Sequence, residues 1–275
     1  MPLLLALAAL GLGAQAAAQS LPMPPSAPAS PAEVRLIEGW QAADGCHVIG
    51  IEIDLAPGWY TYWRMPGEAG IAPVLDWSGS SNLASVRHEW PRPSVFDSYG
   101  MTTIGYAGGL VLPVVLTPER SDAPVEVALD LFFGVCDEIC VPADARIEAT
   151  IAPGRAASGR ARIEAARAER PRTAAEAGVT AVSCGLAPGA KGPELVAEVT
   201  FGAEAATDGL LVIEPGQAGL RIGPARSRSE GRTLSARAAV RGSGSGGPAI
   251  DRNALRLTVI GPRRAVEIEG CRAPG

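Results

Sequence analysis

Period-two alternation is the strongest constraint in this chain. In HVIGIEIDL (47–55), Ile49, Ile51, Ile53 and Leu55 alternate with Val48, Gly50, Glu52 and Asp54. In VEVALDLFF (125–133), Val125, Val127, Leu129, Leu131 and Phe133 share one face, with Glu126 and Asp130 on the other. Successive side chains of a strand point to opposite sides, so such runs are half-buried strands of an antiparallel sheet. Further strand patterns cover 33–42, 72–77, 84–90, 102–106, 109–117 and 144–151, with turn residues between them and no competing helical period. Seven or eight short strands in about 120 residues are the signature of a β-sandwich. The expected fold class is all-β: a β-sandwich over 33–152, followed by a second, smaller β-sandwich domain over 176–275.

Between them, PGRAASGRARIEAARAERPRT (153–173) breaks the strand pattern. Its Ala, Arg and Glu favour helix and Pro171 ends it, which predicts a partly helical linker over 153–175. Strand patterns then resume at 194–201, 209–214, 219–223, 232–241, 254–260 and 264–270. The chain has 275 residues, 47% of them hydrophobic, which supplies two ordinary cores. The aromatics are unevenly shared, however. All five Trp and all four Tyr precede residue 110, and Phe201 is the one aromatic after Phe133. Large rings bury the most area per residue, so the second domain needs another stabiliser.

At the N-terminus an apolar run from Leu3 to Leu12 is followed by small residues, with Ala16 and Ala18 in an A-x-A arrangement. This shape predicts a signal peptide over 1–18, although no Lys or Arg precedes the run. Residues 19–32, rich in Pro, Ala and Ser, are expected to be a flexible leader. No later stretch has the apolar length of a membrane span. Export would place the protein in an oxidising compartment, where disulfides persist. The net charge is −5 and the sequence shows no basic stripe, which argues against nucleic acid or an anionic membrane as partner.

Five cysteines are present: Cys46, Cys136, Cys140, Cys184 and Cys271. Cys184 and Cys271 flank the second domain, where a structural disulfide closing so long a loop would contribute about 4–5 kcal/mol on the chain-entropy account. Cys46 reads as an unpaired, half-buried thiol behaving as a small hydrophobe. Cys136 and Cys140 flank Asp137, Glu138 and Ile139, a three-residue hairpin loop that would set them as cross-strand neighbours within disulfide reach. A bond there is a weak staple, about 2 kcal/mol, at an accessible tip. Three readings stand open from spacing alone: a permanent bond in a non-catalytic binding or chaperone-like module, a redox couple, and a metal clip. Metal is the poorest, because His47 and His88 form no ligand pair with the cysteines in sequence and read as ordinary surface or strand residues. No cofactor is expected. The flanking Asp137 and Glu138 would disfavour a thiolate, leaving a free thiol that reacts quickly only with a docked partner.

Four separated stretches carry a resemblance: PGWYTYWRMPGEAG (57–70), DWSGSSN (76–82), WPRPSVFDSYGMTTIGY (90–106) and VCDEICVPADARI (135–147). Together they resemble the N-terminal periplasmic domain of the thiol–disulfide interchange protein DsbD, and most of all its ScsB-type relatives. The similarity spans about 33–151. It implies an immunoglobulin-like sandwich whose Cys136–Cys140 pair cycles between dithiol and disulfide. It implies as donor a membrane-embedded thiol reductase, and as acceptors periplasmic thioredoxin-fold or peroxiredoxin-like proteins, including those of cytochrome c maturation. It implies that Cys140 makes the mixed disulfide and Cys136 resolves it, with Phe96 or Tyr99 as the aromatic cap and Tyr60 and Tyr62 beside the site. In WYTYW, Trp59 and Trp63 alternate with those tyrosines as core residues would. Two departures stand out. The loop between the cysteines is shorter than in DsbD, and the chain carries no membrane reductase segment and no C-terminal thioredoxin-like domain, so the reductant is expected to be a separate protein, or the gene to be split.

Overall fold

The computed structural model describes residues 30–154, 158–202, 209–242 and 247–274. The expected signal peptide and nearly all of the expected leader fall outside the described residues. The first region runs through β1 (Ala32–Gln41), β2 (His47–Leu55), β3 (Tyr60–Gly67), β4 (Val74–Asp76), β5 (Ser85–His88), β6 (Ser94–Ser98), β7 (Met101–Ala107), β8 (Gly109–Thr117), β9 (Val125–Cys136) and β10 (Cys140–Ile151). Two sheets result, one ordered β1-β2-β8-β5 and the other β10-β9-β3-β7-β6, with β4 added on β9. Their facing sides hold the core. The alternate residues Ile49, Ile51 and Ile53 of β2 meet Leu129, Leu131 and Phe133 of β9, around a fully buried Trp63. The period-two pattern thus became an antiparallel sandwich, because one face of each sheet has nowhere else to hide its aliphatic side chains.

The second region comprises α1 (Arg160–Ala168), β11 (Arg172–Thr173), β12 (Val179–Gly189), β13 (Gly192–Phe201), β14 (Leu210–Glu214), β15 (Leu220–Ile222), β16 (Arg226–Glu230), β17 (Thr233–Gly242), β18 (Arg256–Ile260) and β19 (Ala265–Glu269). One sheet is ordered β11-β19-β18-β14. The other is β12-β13-β17-β15, with β16 also on β17. Their core is aliphatic apart from Phe201, and Ala197, Ala236 and Ala238 fill positions where bulkier side chains would supply more area. A Cys184–Cys271 disulfide ties the buried sulfur of β12 to the end of the chain. No helix among the described residues is long and apolar enough to cross a membrane.

The sandwiches are joined by shared packing. Val212 and Ile260, outward residues of β14 and β18, are buried in the first core rather than the second. Arg64 of β3 stacks on Trp63 at 4.3 Å, donates from both Nε and Nη2 to the Glu214 carboxylate at 2.9 and 2.8 Å, and pairs with Glu267. Helix α1 lies against β1 and β8, inserting Ile163 among Ile37, Val48 and Val115.

Candidate functional site

The β9–β10 ladder fixes the position of the two cysteines. Cys136 and Cys140 lie directly opposite one another, their Cα atoms 4.1 Å apart, and are joined as a disulfide across the 137–139 loop. Burial separates them. Cys136 has no exposed surface, whereas Cys140 is exposed.

Tyr60 of β3 pairs with Cys136 in register, and Tyr62 follows on the same face. The Tyr62 hydroxyl lies 2.7 Å from Cys136 Sγ and 3.1 Å from Cys140 Sγ. Disulfide sulfurs carry no hydrogen, so the phenol donates. Burial pushes its ionisation above the ordinary tyrosine value, and the neighbouring Tyr60 adds to the shift, so the donor keeps its proton. Two glycines make room for the ring. A Cβ on Gly134 would lie 2.8 Å from the Tyr62 ring and from Ile71, and one on Gly70 would overlap the ring outright. A glycine inside a strand marks such a close approach. Gly134 was therefore the available sequence signal, while Gly70 lies in an irregular segment whose neighbours no pattern gives.

The remaining sequence-derived site residues come from the β6–β7 hairpin. Phe96 packs beside Tyr60 with ring centroids 5.6 Å apart, and Tyr60 meets Tyr62 edge to face at 5.7 Å. The Tyr60 hydroxyl reaches Ser98 Oγ at 3.4 Å, a contact the sequence reading did not include. Ser98 and Met101 pair around a two-residue turn in which Tyr99 and Gly100 both have positive φ, 53° and 79°. Such a turn matches strand twist but strains a non-glycine residue. Tyr99 is held there at 81% exposure, donating to the Glu138 carbonyl at 3.4 Å across from the cysteine loop. The structure therefore gathers Cys136, Cys140, Tyr60, Tyr62, Phe96 and Tyr99 into one place.

Residues set aside in the sequence reading lie elsewhere. His47 is buried in β2 and His88 accepts from Trp77 Nε1 at 3.2 Å; burial lowers the ionisation of both. Cys46 is half-buried beside Thr117 Oγ1 at 3.7 Å.

A buried sulfur and an exposed one, joined at a loop tip under a protonated phenol, form an arrangement suited to opening by an incoming thiol. Comparison with known proteins agrees with that chemistry. Residues 33–152 match the family described as thiol:disulfide interchange protein DsbD, N-terminal. The chain is similar to the solved N-terminal periplasmic domain of ScsB from Proteus mirabilis, with 25% identity and a TM-score of 0.67 over 90% of this chain and 95% of that one. That coverage takes in both sandwiches. A second solved structure, the DsbD N-terminal domain of Neisseria meningitidis in the reduced form, aligns with 16% identity and a TM-score of 0.25 over 42% of this chain and 83% of that one. No curated protein sequence matches the chain.

Proposed function

Residues 33–152 are a DsbD-type N-terminal domain, a thiol–disulfide exchange domain, and from that premise we propose that the chain relays electrons in the periplasm from a membrane-embedded thiol reductase to proteins that carry disulfides. In the reduced protein the Cys140 thiolate attacks one sulfur of an acceptor's disulfide and the acceptor's other sulfur leaves as a thiolate. The Cys136 thiolate then attacks Cys140 Sγ, the mixed disulfide breaks, and the acceptor departs as a dithiol. Two electrons have moved, and the Cys136–Cys140 bond has formed. A dithiol of the reductase reverses the last steps and restores the pair. The acceptors on this reading are thioredoxin-fold or peroxiredoxin-like proteins.

The observation that supports this order most is the unequal exposure of the two sulfurs. An external protein can approach Cys140, while Cys136 has no exposed surface and is bonded to Cys140 beneath the Tyr62 hydroxyl. Thiol trapping in cells tests the relay. The Cys136–Cys140 pair should be partly reduced in normal cells and fully oxidised when the reductase is deleted. A Cys136→Ala variant should accumulate mixed disulfides through Cys140. A pair that stays oxidised in both strains would leave only a static bond.

A further inference from the structure

The face of β9 that bears Cys136 continues away from the disulfide as a surface with exposed apolar side chains and carboxylates. Gly134, Phe132 and Asp130 follow Cys136 on that side, while Phe133, Leu131 and Leu129 fill the core behind. Register sets Val74 and Asp144 on either side of Phe132, and Asp76 and Arg146 on either side of Asp130. Val74 is 58% exposed, Phe132 40%, and Ile139 beside Cys140 71%. Two apolar side chains left this exposed keep much of their surface in water, which a partner's surface would cover.

Charge on the same face is unbalanced. Asp76 and Asp130 lie directly opposite one another, a like-charge pair that costs stability in a sheet. Arg146 binds Asp130 at 3.1 Å, but among the described residues Asp144 makes no ion pair. Val74, Phe132, Asp76 and Asp144 border a shallow depression of about 320 Å³, enough for one side chain. A cation seated there would have an aromatic ring beneath it and carboxylates on its rim.

From these observations we propose that this face, from Cys140 to the Val74–Phe132 pair, is where a folded exchange partner docks, placing a Lys or Arg side chain over Phe132. The inference rests on the exchange reading above and states what the partner must carry. Phe132 lies four positions before Cys136 on β9, about 13 Å along a strand. An ordinary protein interface covers about 800 Å² per partner, a disc about 16 Å in radius. A protein centred on Cys140 therefore covers the depression, and a small thiol does not.

The test compares two reductants of the oxidised full-length protein, dithiothreitol and reduced thioredoxin, the latter as a folded dithiol probe. Phe132→Ser and Asp144→Lys should each slow the thioredoxin reaction about tenfold, equivalent to about 1.4 kcal/mol, and leave the dithiothreitol rate unchanged. The Asp144→Lys effect should shrink as salt is added. Because these side chains are exposed, folding should survive, and Val74→Ser and Asp144→Asn provide milder versions. Equal slowing with both reagents, or none with either, overturns the docking surface while leaving the exchange function standing. A wild-type protein reduced by dithiothreitol but not by thioredoxin overturns both.

Discussion

At the scale of single residues, the proposed exchange rests on unequal access to the two sulfurs and on one hydroxyl that touches both. Tyr62 remains protonated because burial opposes its ionisation, so it donates to the disulfide and keeps a proton to offer a thiolate. When the bond opens, the sulfur that gains negative charge becomes a better acceptor. A hydrogen bond to a charged group contributes about 1.5 kcal/mol, equivalent to about one unit of thiol pKa. Tyr62→Phe should therefore raise the pKa of the reduced cysteine beside it by about one unit. The pH dependence of thiolate ultraviolet absorbance would show this, and an unchanged titration would reduce the tyrosine to packing. The alternation of Trp59, Thr61 and Trp63 against Tyr60 and Tyr62 made that face readable in the sequence. The slot that holds the ring was less readable, because it depends on which backbone lies across from Tyr62, a matter of register.

At the scale of elements, the linker helix is fastened to the first sandwich by a buried carboxylate. Glu89, just past β5, has a side chain only 2% exposed and receives Arg167 at 2.6 Å, Arg170 at 3.0 Å and Arg87 at 2.6 Å. Burial alone would raise its pKa, but the hydrogen bonds from Arg167 and Arg87, with the charges of Arg170 and Arg167, outweigh it and hold the carboxyl below the ordinary range. A depressed carboxylate contributes stability that is present above the unfolded value, about 4.3, and is lost as pH falls through the folded one. Glu89→Gln should lower stability at neutral pH by about 3 kcal/mol, since it leaves arginines without their buried counter-charge. It should also flatten the acid limb of the stability curve, which unfolding midpoints measured from pH 7 downward would reveal. The strands themselves were legible wherever one face is apolar, as in β2, β8 and β9. Residues 94–98 carry no strand pattern in the sequence, yet Ser94–Ser98 forms β6 by pairing with β7. An edge strand with half-exposed side chains carries no alternation to detect. Likewise no basic stripe appears along the sequence, but folding sets Arg226 opposite Arg237 and Arg221 opposite Arg241. Pairing creates such neighbours, and composition is blind to them.

At the scale of the whole molecule, the question is whether two sandwiches of such different composition behave as one. The second has Phe201 as its sole aromatic and a core rich in alanine, so its area burial is modest and the Cys184–Cys271 bond carries more of its stability. On the chain-entropy account, a cross-link between residues 87 positions apart contributes about 4–5 kcal/mol. One spanning four positions, as in Cys136–Cys140, contributes about 2 kcal/mol. The unequal figures fit one bond that is kept and one that is spent and renewed. The junction should transmit the loss of the first. Val212 and Ile260 belong to the core of the neighbouring sandwich, and Arg64 holds Glu214 and Glu267 across the boundary with side chains that are 15%, 13% and 29% exposed. Freeing the second sandwich would strip apolar cover from the first and leave a partly buried Arg64 without its counter-charges. All five tryptophans lie in the first sandwich, so tryptophan fluorescence reports on that part alone. In a Cys184→Ser/Cys271→Ser protein, the fluorescence midpoint in urea should fall together with the midpoint from circular dichroism, as one transition. Two separated transitions, with the fluorescence midpoint where it stands in the wild type, would mean that the ion pairs and shared aliphatics hold the sandwiches side by side without coupling their folding.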